Sequence, residues 1–530
     1  MTITRRFIAD RSGNFAMLMA LMTIPVIGGL GLAIDYSNAS RLKSDFQQAL
    51  DSAAVAIARE GKTVTNDEAR DIAIAFLGEN FEEGYTNLTI TNDNGLVTVD
   101  ADTVYDTTFA RIFGYNHIPI DGSSQAATDY QTNEIALVLD TTGSMAGGKL
   151  ASLKDAVKGM IDDMAALNSI PDGLKFALVP FSDFVNVGPQ FGPSFNAQGI
   201  QNSDGASWLD LNGDTPVPQL ELVTGLSRFQ LIKHLGATWP GCVESRIQYN
   251  GTNYAATDDE PKASRPETLF VPAFNIDEPS GFYPNNYISS TVNPFDTTTA
   301  GVKAKLAKYG VKTNGSGKPL PATSWTTVAV DYSTSTFYGN YQRPKGPGYS
   351  CSSQPISALS TNYTALKSKV NSLVAAGSTN IAEGVAWGWR VLSPGVPFTE
   401  GRPKKTSTNS KIMVVLSDGA NSFATLNNDF RSAYSSQGYL VDGRIATPGA
   451  NKSTVDAEMD VRTLQACSAA KLDGIEIYTI SLEIDEQATL DMLEACASDK
   501  AHFFNLPSRS MLSDAFKQIK DKIAKVRLTG

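Results

Sequence analysis

Hydrophobic positions along the chain change their spacing three times. Residues 15–34 are twenty positions without a charge, long enough for a helix to cross a bilayer. From there the spacing becomes that of an amphipathic helix. Leu42, Phe46, Leu50, Ala53 and Ile57 fall on one face over residues 37–60. A second amphipathic helix is expected over 67–81, with Ile72, Ala75, Phe76 and Leu77 apolar. Short strand-like runs at 88–91 and 96–99 flank Asn92-Asp93-Asn94-Gly95, and Asn-Gly between such runs signals a hairpin. A short helix over 104–113 and a strand over 118–127 follow. Residues 37–128 thus read as a small α+β stalk module, with the polar residues 128–133 as its boundary.

From residue 134 on, short unbroken apolar runs alternate with helix-spaced stretches. Strands are expected at 135–139, 176–181, 412–416 and 475–482, with a last one at Phe503 and Phe504. Leu150, Leu153, Val157, Met160 and Met164 mark one helix, and further helices are expected over 366–376, 381–391, 455–471, 486–497 and 511–526. This alternation predicts an α/β fold, a doubly wound and mostly parallel sheet over 134–530. Two stretches interrupt it. Residues 191–356 are rich in Gly, Pro, Asn, Ser, Thr and Tyr and too long for a loop, so they read as an inserted lobe of short strands and turns. The lobe holds Trp208, Trp239 and Trp325, as an aromatic core, a recognition surface, or both. Residues 422–453 form a smaller insertion. Trp387 and Trp389 sit on a helix pattern as core residues.

The candidate chemistry lies at the strand ends. Asp140 closes the run 135–139, and Thr142 and Ser144 follow with Gly143 between them. Open α/β sheets place ligands at the carboxyl ends of their strands. One carboxylate and two hydroxyls form an all-oxygen environment suited to Mg²⁺, Mn²⁺ or Ca²⁺. D-x-T-x-S alone also describes a polar turn that caps the next helix. Gly377-Ser378-Thr379-Asn380 adds a third hydroxyl, and Ser417-Asp418-Gly419 adds a second carboxylate after the run 412–416. Asp140, Thr142, Ser144, Thr379 and Asp418 together resemble the metal-ion-dependent adhesion site of the von Willebrand factor type A domain, with Thr142 where Ser is commonest. The resemblance implies a Rossmann-like fold. It also implies a divalent cation touched directly by Thr142 and Ser144 and held by Asp140 and Asp418 partly through water, with Thr379 entering or leaving. An open coordination position would then take an Asp or Glu carboxylate from a protein partner.

Arg5, Arg6 and Arg11 precede the span, and this excess of positive charge predicts a cytoplasmic N-terminus with an exported remainder. A cleaved signal peptide is the alternative, but the run is long and no A-x-A site closes it. A leader cleaved after Gly13 is a second alternative, although Leu18 stands where type IV prepilin-like leaders usually carry Glu. Arg11, Gly13, Asp35 and Leu50-Asp51 around the apolar run resemble the N-terminal region of TadE/TadG-like proteins of the tight-adherence (Flp) pilus system. Residues 384–394, 466–471, 474–481 and 493–498 resemble the TadG-like type A domain. The resemblance implies an inner-membrane, single-pass protein anchored by residues 1–36, its bulk periplasmic or surface-exposed, working with other pilus assembly proteins. A structural pilus-associated subunit or surface adhesin is the alternative role.

Charge and composition narrow the rest. With 44 basic and 55 acidic residues the net charge is −11, and no long basic block is present, which argues against nucleic acid as a partner. His117, His234 and His502 are far apart and form no H-E-x-x-H motif. There is no phosphate-binding G-x-x-x-x-G-K-[ST] sequence and no nucleophile elbow, so a Mg²⁺-dependent hydrolase is disfavoured and no enzyme is expected. The four cysteines allow three pairings. Cys467 with Cys496 would link helices flanking the run 475–482, leaving Cys242 with Cys351 to staple the lobe. Four buried thiols are the alternative. Disulfides suit an oxidising periplasm.

Overall fold

The computed structural model describes residues 13–60, 64–93, 96–127, 132–168, 172–196, 201–216, 219–246, 257–278, 285–337, 341–406 and 408–526. The arginines before the span, the Asn94-Gly95 turn and residues 128–131 of the expected boundary lie outside them. The chain divides into two compact units, Met1–Asp129 and Tyr130–Gly530.

In the first unit a single 48-residue helix, Gly13–Glu60, carries both the apolar run and the amphipathic stretch. It is the one helix among the described residues long and apolar enough to cross a membrane. Its amphipathic half buries Phe46, Leu50, Ala53 and Ile57. They pack against the helix Asn66–Asn80 and an antiparallel sheet of Thr86–Asp93, Leu96–Asp106 and His117–Ala127. Gly122 permits the close approach: a Cβ there would lie 2.4 Å from Leu50 Cδ1. The helix expected over 104–113 is corrected. Val104, Tyr105 and Asp106 extend a strand paired to Pro119, Ile118 and His117, and only a single 3₁₀ turn, Ala110–Phe113, remains.

The second unit is mixed α/β around an eight-stranded sheet. Five strands run parallel in the order Phe503–Leu506, Ile475–Leu482, Asn409–Ser417, Thr132–Asp140, Leu174–Phe181. Short antiparallel strands, Val185–Asn186, Cys242–Val243 and Ser357–Ser360, complete the far edge. Both faces are buried, which is why the central strands read as continuous apolar runs. Ile135, Leu137 and Leu139 face a core with Leu153, Val157 and Met160 of the helix Gly148–Leu167 and Phe516 and Ile519 of the helix Leu512–Val526. Ala136 and Val138 face the opposite core with Val385 and Trp387 of the helix Ile381–Leu392. That helix sits against the sheet through glycines one turn apart. A Cβ on Gly384 would meet Phe181 Cδ1 at 2.7 Å, and one on Gly388 would meet Val138 Cγ2 at 2.5 Å.

Two expectations change here. The helix expected over 366–376 is instead Tyr363–Asn371, ending five residues sooner. The chain leaves it because Ala376 N–H donates to Thr141 O, and Gly377, at φ +91°, turns the backbone toward the motif strand. Among the described residues, the stretch 191–356 shares the sheet's core. Trp208, Phe229, Trp239, Phe270 and Tyr309 cluster with Val138, Val179 and Trp387. Its base is stapled by Cys242–Cys351, and Cys467–Cys496 joins the helices Lys452–Leu472 and Gln487–Cys496.

Candidate metal site

Register brings the two motif strands to one level. Leu416 lies beside Leu139, so Ser417 and Asp418 emerge next to Asp140. Ser417 Oγ donates to Asp140 Oδ2 at 2.7 Å, and Thr142 N–H donates to Asp140 Oδ1 at 2.8 Å. Thr142 Oγ1 lies 2.9 Å from Ser144 Oγ, which donates to Asp418 Oδ1 at 2.6 Å. The other oxygen of Asp418 accepts from Lys149 Nζ at 2.8 Å.

The third loop is joined by backbone bonds. Gly143 N–H donates to Gly377 O at 3.0 Å, and Ser422 N–H donates to Thr379 O at 2.9 Å. Asn380 caps the helix that follows, its side chain accepting from Glu383 N–H. Thr379 thereby joins Thr142 and Ser144 in the wall of a cleft of about 950 Å³. Asp140 and Asp418 are buried beneath it, while Ser144 is exposed. Asp456, Asp460, Glu486 and Lys452 line its far side.

The electrostatics follow from burial. Removal from water pushes the Asp140 carboxyl up to about 6, with the nearby Asp418 charge adding to the shift and hydrogen bonds from Thr142 and Ser417 opposing it. Asp183, buried at the end of the neighbouring strand, is pushed up to about 7 by the same desolvation although it accepts Ser378 N–H at 2.7 Å. Lys149, with Glu483 also within 3.7 Å, is the cation beside Asp418.

The donor set fits a small hard cation. Neighbouring oxygens around Mg²⁺ at 2.0–2.1 Å in an octahedron lie about 2.9 Å apart. The Thr142–Ser144 and Ser144–Asp418 separations, 2.9 and 2.6 Å, are near that edge. No group of three His, Cys, Asp or Glu side chains suited to a metal occurs among the described residues, so an ion here would depend on the hydroxyls. The histidines are occupied elsewhere: His117 pairs with Asp106, His234 approaches Thr326 O, and His502 sits between Glu476 and Asp499.

All five candidate residues border this one strand edge. Three further residues contribute, none of them among the five candidates. Asp183 and Gly377 shape the third loop, and Lys149 neutralises Asp418. The Phe181-Ser182-Asp183 strand end was the available signal for the first. The contact of Asp183 with Ser378 has no local trace, because 195 positions separate them.

Residues 13–60 match the family model described as "Putative Flp pilus-assembly TadE/G-like". No curated protein matches the chain. Among solved structures, the vWF domain of the type V pili tip protein Mfa5 from Porphyromonas gingivalis is 10% identical, covering 75% of this chain and 97% of that one at a TM-score of 0.33. A variant of the PilB minor pilin from Streptococcus sanguinis is also 10% identical, over 85% of this chain and 81% of that one, at 0.33. A von Willebrand factor type A protein from Catenulispora acidiphila is 11% identical over 83% of this chain and 51% of that one, at 0.26.

Proposed function

We propose that this protein is a membrane-anchored, extracytoplasmic, divalent-cation-dependent protein-binding module of Flp pilus assembly. The reading takes residues 15–34 as the membrane span, the remainder of the first unit as a stalk, and the second unit as a doubly wound, von Willebrand type A-like domain. Thr142 and Ser144 would touch the ion, Asp140 and Asp418 would hold it, and Thr379 would close or open the shell. The ion supplies a Lewis-acidic position for a carboxylate. The protein's residues orient it: Ser417 and Thr142 fix Asp140, and the Gly143–Gly377 and Thr379–Ser422 bonds hold the loops to one another. What supports the reading is that hydroxyls and a carboxylate from two distant segments meet at one strand edge, with the Thr379 loop tied beside them by backbone bonds, on a chain whose first helix matches the TadE/G-like model. The partner is a protein presenting an Asp or Glu side chain. We read a binding role rather than catalysis, since the cleft wall offers no histidine among the described residues.

The test is calorimetric titration of Mg²⁺ or Mn²⁺ into the full chain in detergent. Wild type is expected to bind one ion and Asp140→Ala none. Equal binding by both would overturn the site. A pilus-structural or adhesin role is separated by fractionation, since such a protein would appear in sheared pili and an assembly protein would stay with the inner membrane.

A further inference from the structure

Residues 107–116 connect two strands of the first unit, and they lie along the apolar half of the long helix. A Cβ on Gly31 would fall 2.7 Å from Phe109 Cβ, and one on Gly28 would fall 3.0 Å from Phe113 Cζ. The small residues of the helix therefore receive the loop. Asp35 fastens it: its buried carboxylate accepts the N–H groups of Thr108, Phe109 and Ala110 at 3.0, 2.8 and 2.7 Å. Gly28 precedes Asp35 by seven residues, so Phe113 reaches about 10 Å back along the helix axis. At that depth the helix exposes Ile24, Ile27 and Leu30, part of the uncharged run.

The loop tip carries apolar side chains that the described residues of its unit leave largely exposed. Ile112 is 77% exposed, Phe113 54% and Tyr115 69%. Most of its backbone donors, by contrast, are satisfied internally. Thr107 N–H reaches Asn116 O, Ile112 reaches Phe109 O, Gly114 reaches Arg111 O and Tyr115 reaches Ala110 O, at 3.0 to 3.2 Å. With the three bonds to Asp35, this leaves few free donors. Water would satisfy such groups on an ordinary loop, whereas in hydrocarbon each must find a partner in the protein. An apolar tip whose N–H donors are mostly paired within the protein, continuous with an apolar helix surface, suits lipid.

We propose that the loop 109–115 dips into the exported-side leaflet of the bilayer beside the anchor helix, giving Ile112 and Phe113 to the acyl region and Tyr115 to the interface. Arg111 then places its charge among lipid phosphates, as long basic side chains do near a membrane surface. The inference rests on the membrane-anchor reading.

Spin labelling tests it in the full chain, reconstituted in phosphatidylethanolamine–phosphatidylglycerol vesicles. All four native cysteines are in disulfides, so one added cysteine takes the nitroxide alone. Ile112→Cys and Phe113→Cys are compared with two markers on the same helix. Leu21→Cys lies in the span, and Arg59→Cys lies about 36 Å beyond Asp35. Labels at 112 and 113 are expected to collide more with oxygen than with a water-soluble nickel chelate, as at Leu21 and opposite to Arg59. Overturning results are labels at 112 and 113 that behave like Arg59 while Leu21 is in lipid, or labels shielded from both agents, which would mean a protein cover. If Leu21 itself behaves like Arg59, the anchor reading fails first and the loop proposal falls with it.

Discussion

Asp140 shows how one residue can serve two requirements. Its position at the end of a buried strand sets it beneath the cleft, and the same burial favours its proton. The carboxyl is pushed up to about 6, first by desolvation and then by Asp418. In the proposed role a divalent ion would need the ionised form, so protons would compete with metal below that pH. The affinity for Mg²⁺ or Mn²⁺ is therefore expected to be about tenfold weaker at pH 5 than at pH 7.5, one pH unit below the group's midpoint. Calorimetry at the two pH values reads this directly, and an unchanged affinity would show that Asp140 does not gate the ion. The motif residues were legible because each sits just past an apolar run or opens a helix. Asp183 was not, since its role is to accept Ser378 N–H across the edge of the sheet.

At the scale of elements, the helix Ile381–Leu392 positions Thr379 and Asn380, and its glycines set its distance from the sheet. Gly388→Ala would gain about 1 kcal/mol of helix propensity. It would also press a methyl to 2.5 Å from Val138 Cγ2, a β-branched side chain held in the middle of the central strand. Overpacking of this kind costs about 1–3 kcal/mol, so a net loss is expected. A thermal unfolding midpoint at or above wild type would mean that the helix shifts without cost. Helices and strands from 381 on follow the spacing in the sequence closely. The two misjudged helices fail for a shared reason. Residues 104–106 and 372–376 have helix-compatible patterns, but pairing to Ile118 and Pro119 in one case and the bond from Ala376 to Thr141 O in the other decide their conformation. Propensity is a weak prior against such tertiary partners.

For the whole molecule, the two disulfides act over different lengths of chain. Cys242–Cys351 closes 109 residues and so ties the base of the lobe, while Cys467–Cys496 closes 29. On loop-closure entropy their removal is expected to cost about 4.8 and about 3.6 kcal/mol. Chemical unfolding of the paired variants Cys242→Ala with Cys351→Ala and Cys467→Ala with Cys496→Ala checks the order. The reverse order would mean that native packing, rather than chain closure, sets their worth. The lobe bridge also matters for the core, because the lobe's aromatic residues and the sheet's Val138 and Trp387 belong to one cluster.

The sequence by itself determined the alternation of strand and helix, the ends of the central strands, the long apolar helix and the oxygen-bearing side chains set at those ends. These are local properties: the period of burial is written into neighbouring residues. Tertiary structure alone decided that the lobe's described aromatic residues join the sheet's core, that Lys149 sits on Asp418, and that Phe109 and Phe113 lie against Gly31 and Gly28. Such contacts depend on strand order and on how closely two surfaces pack, and those quantities leave no periodic mark on either segment.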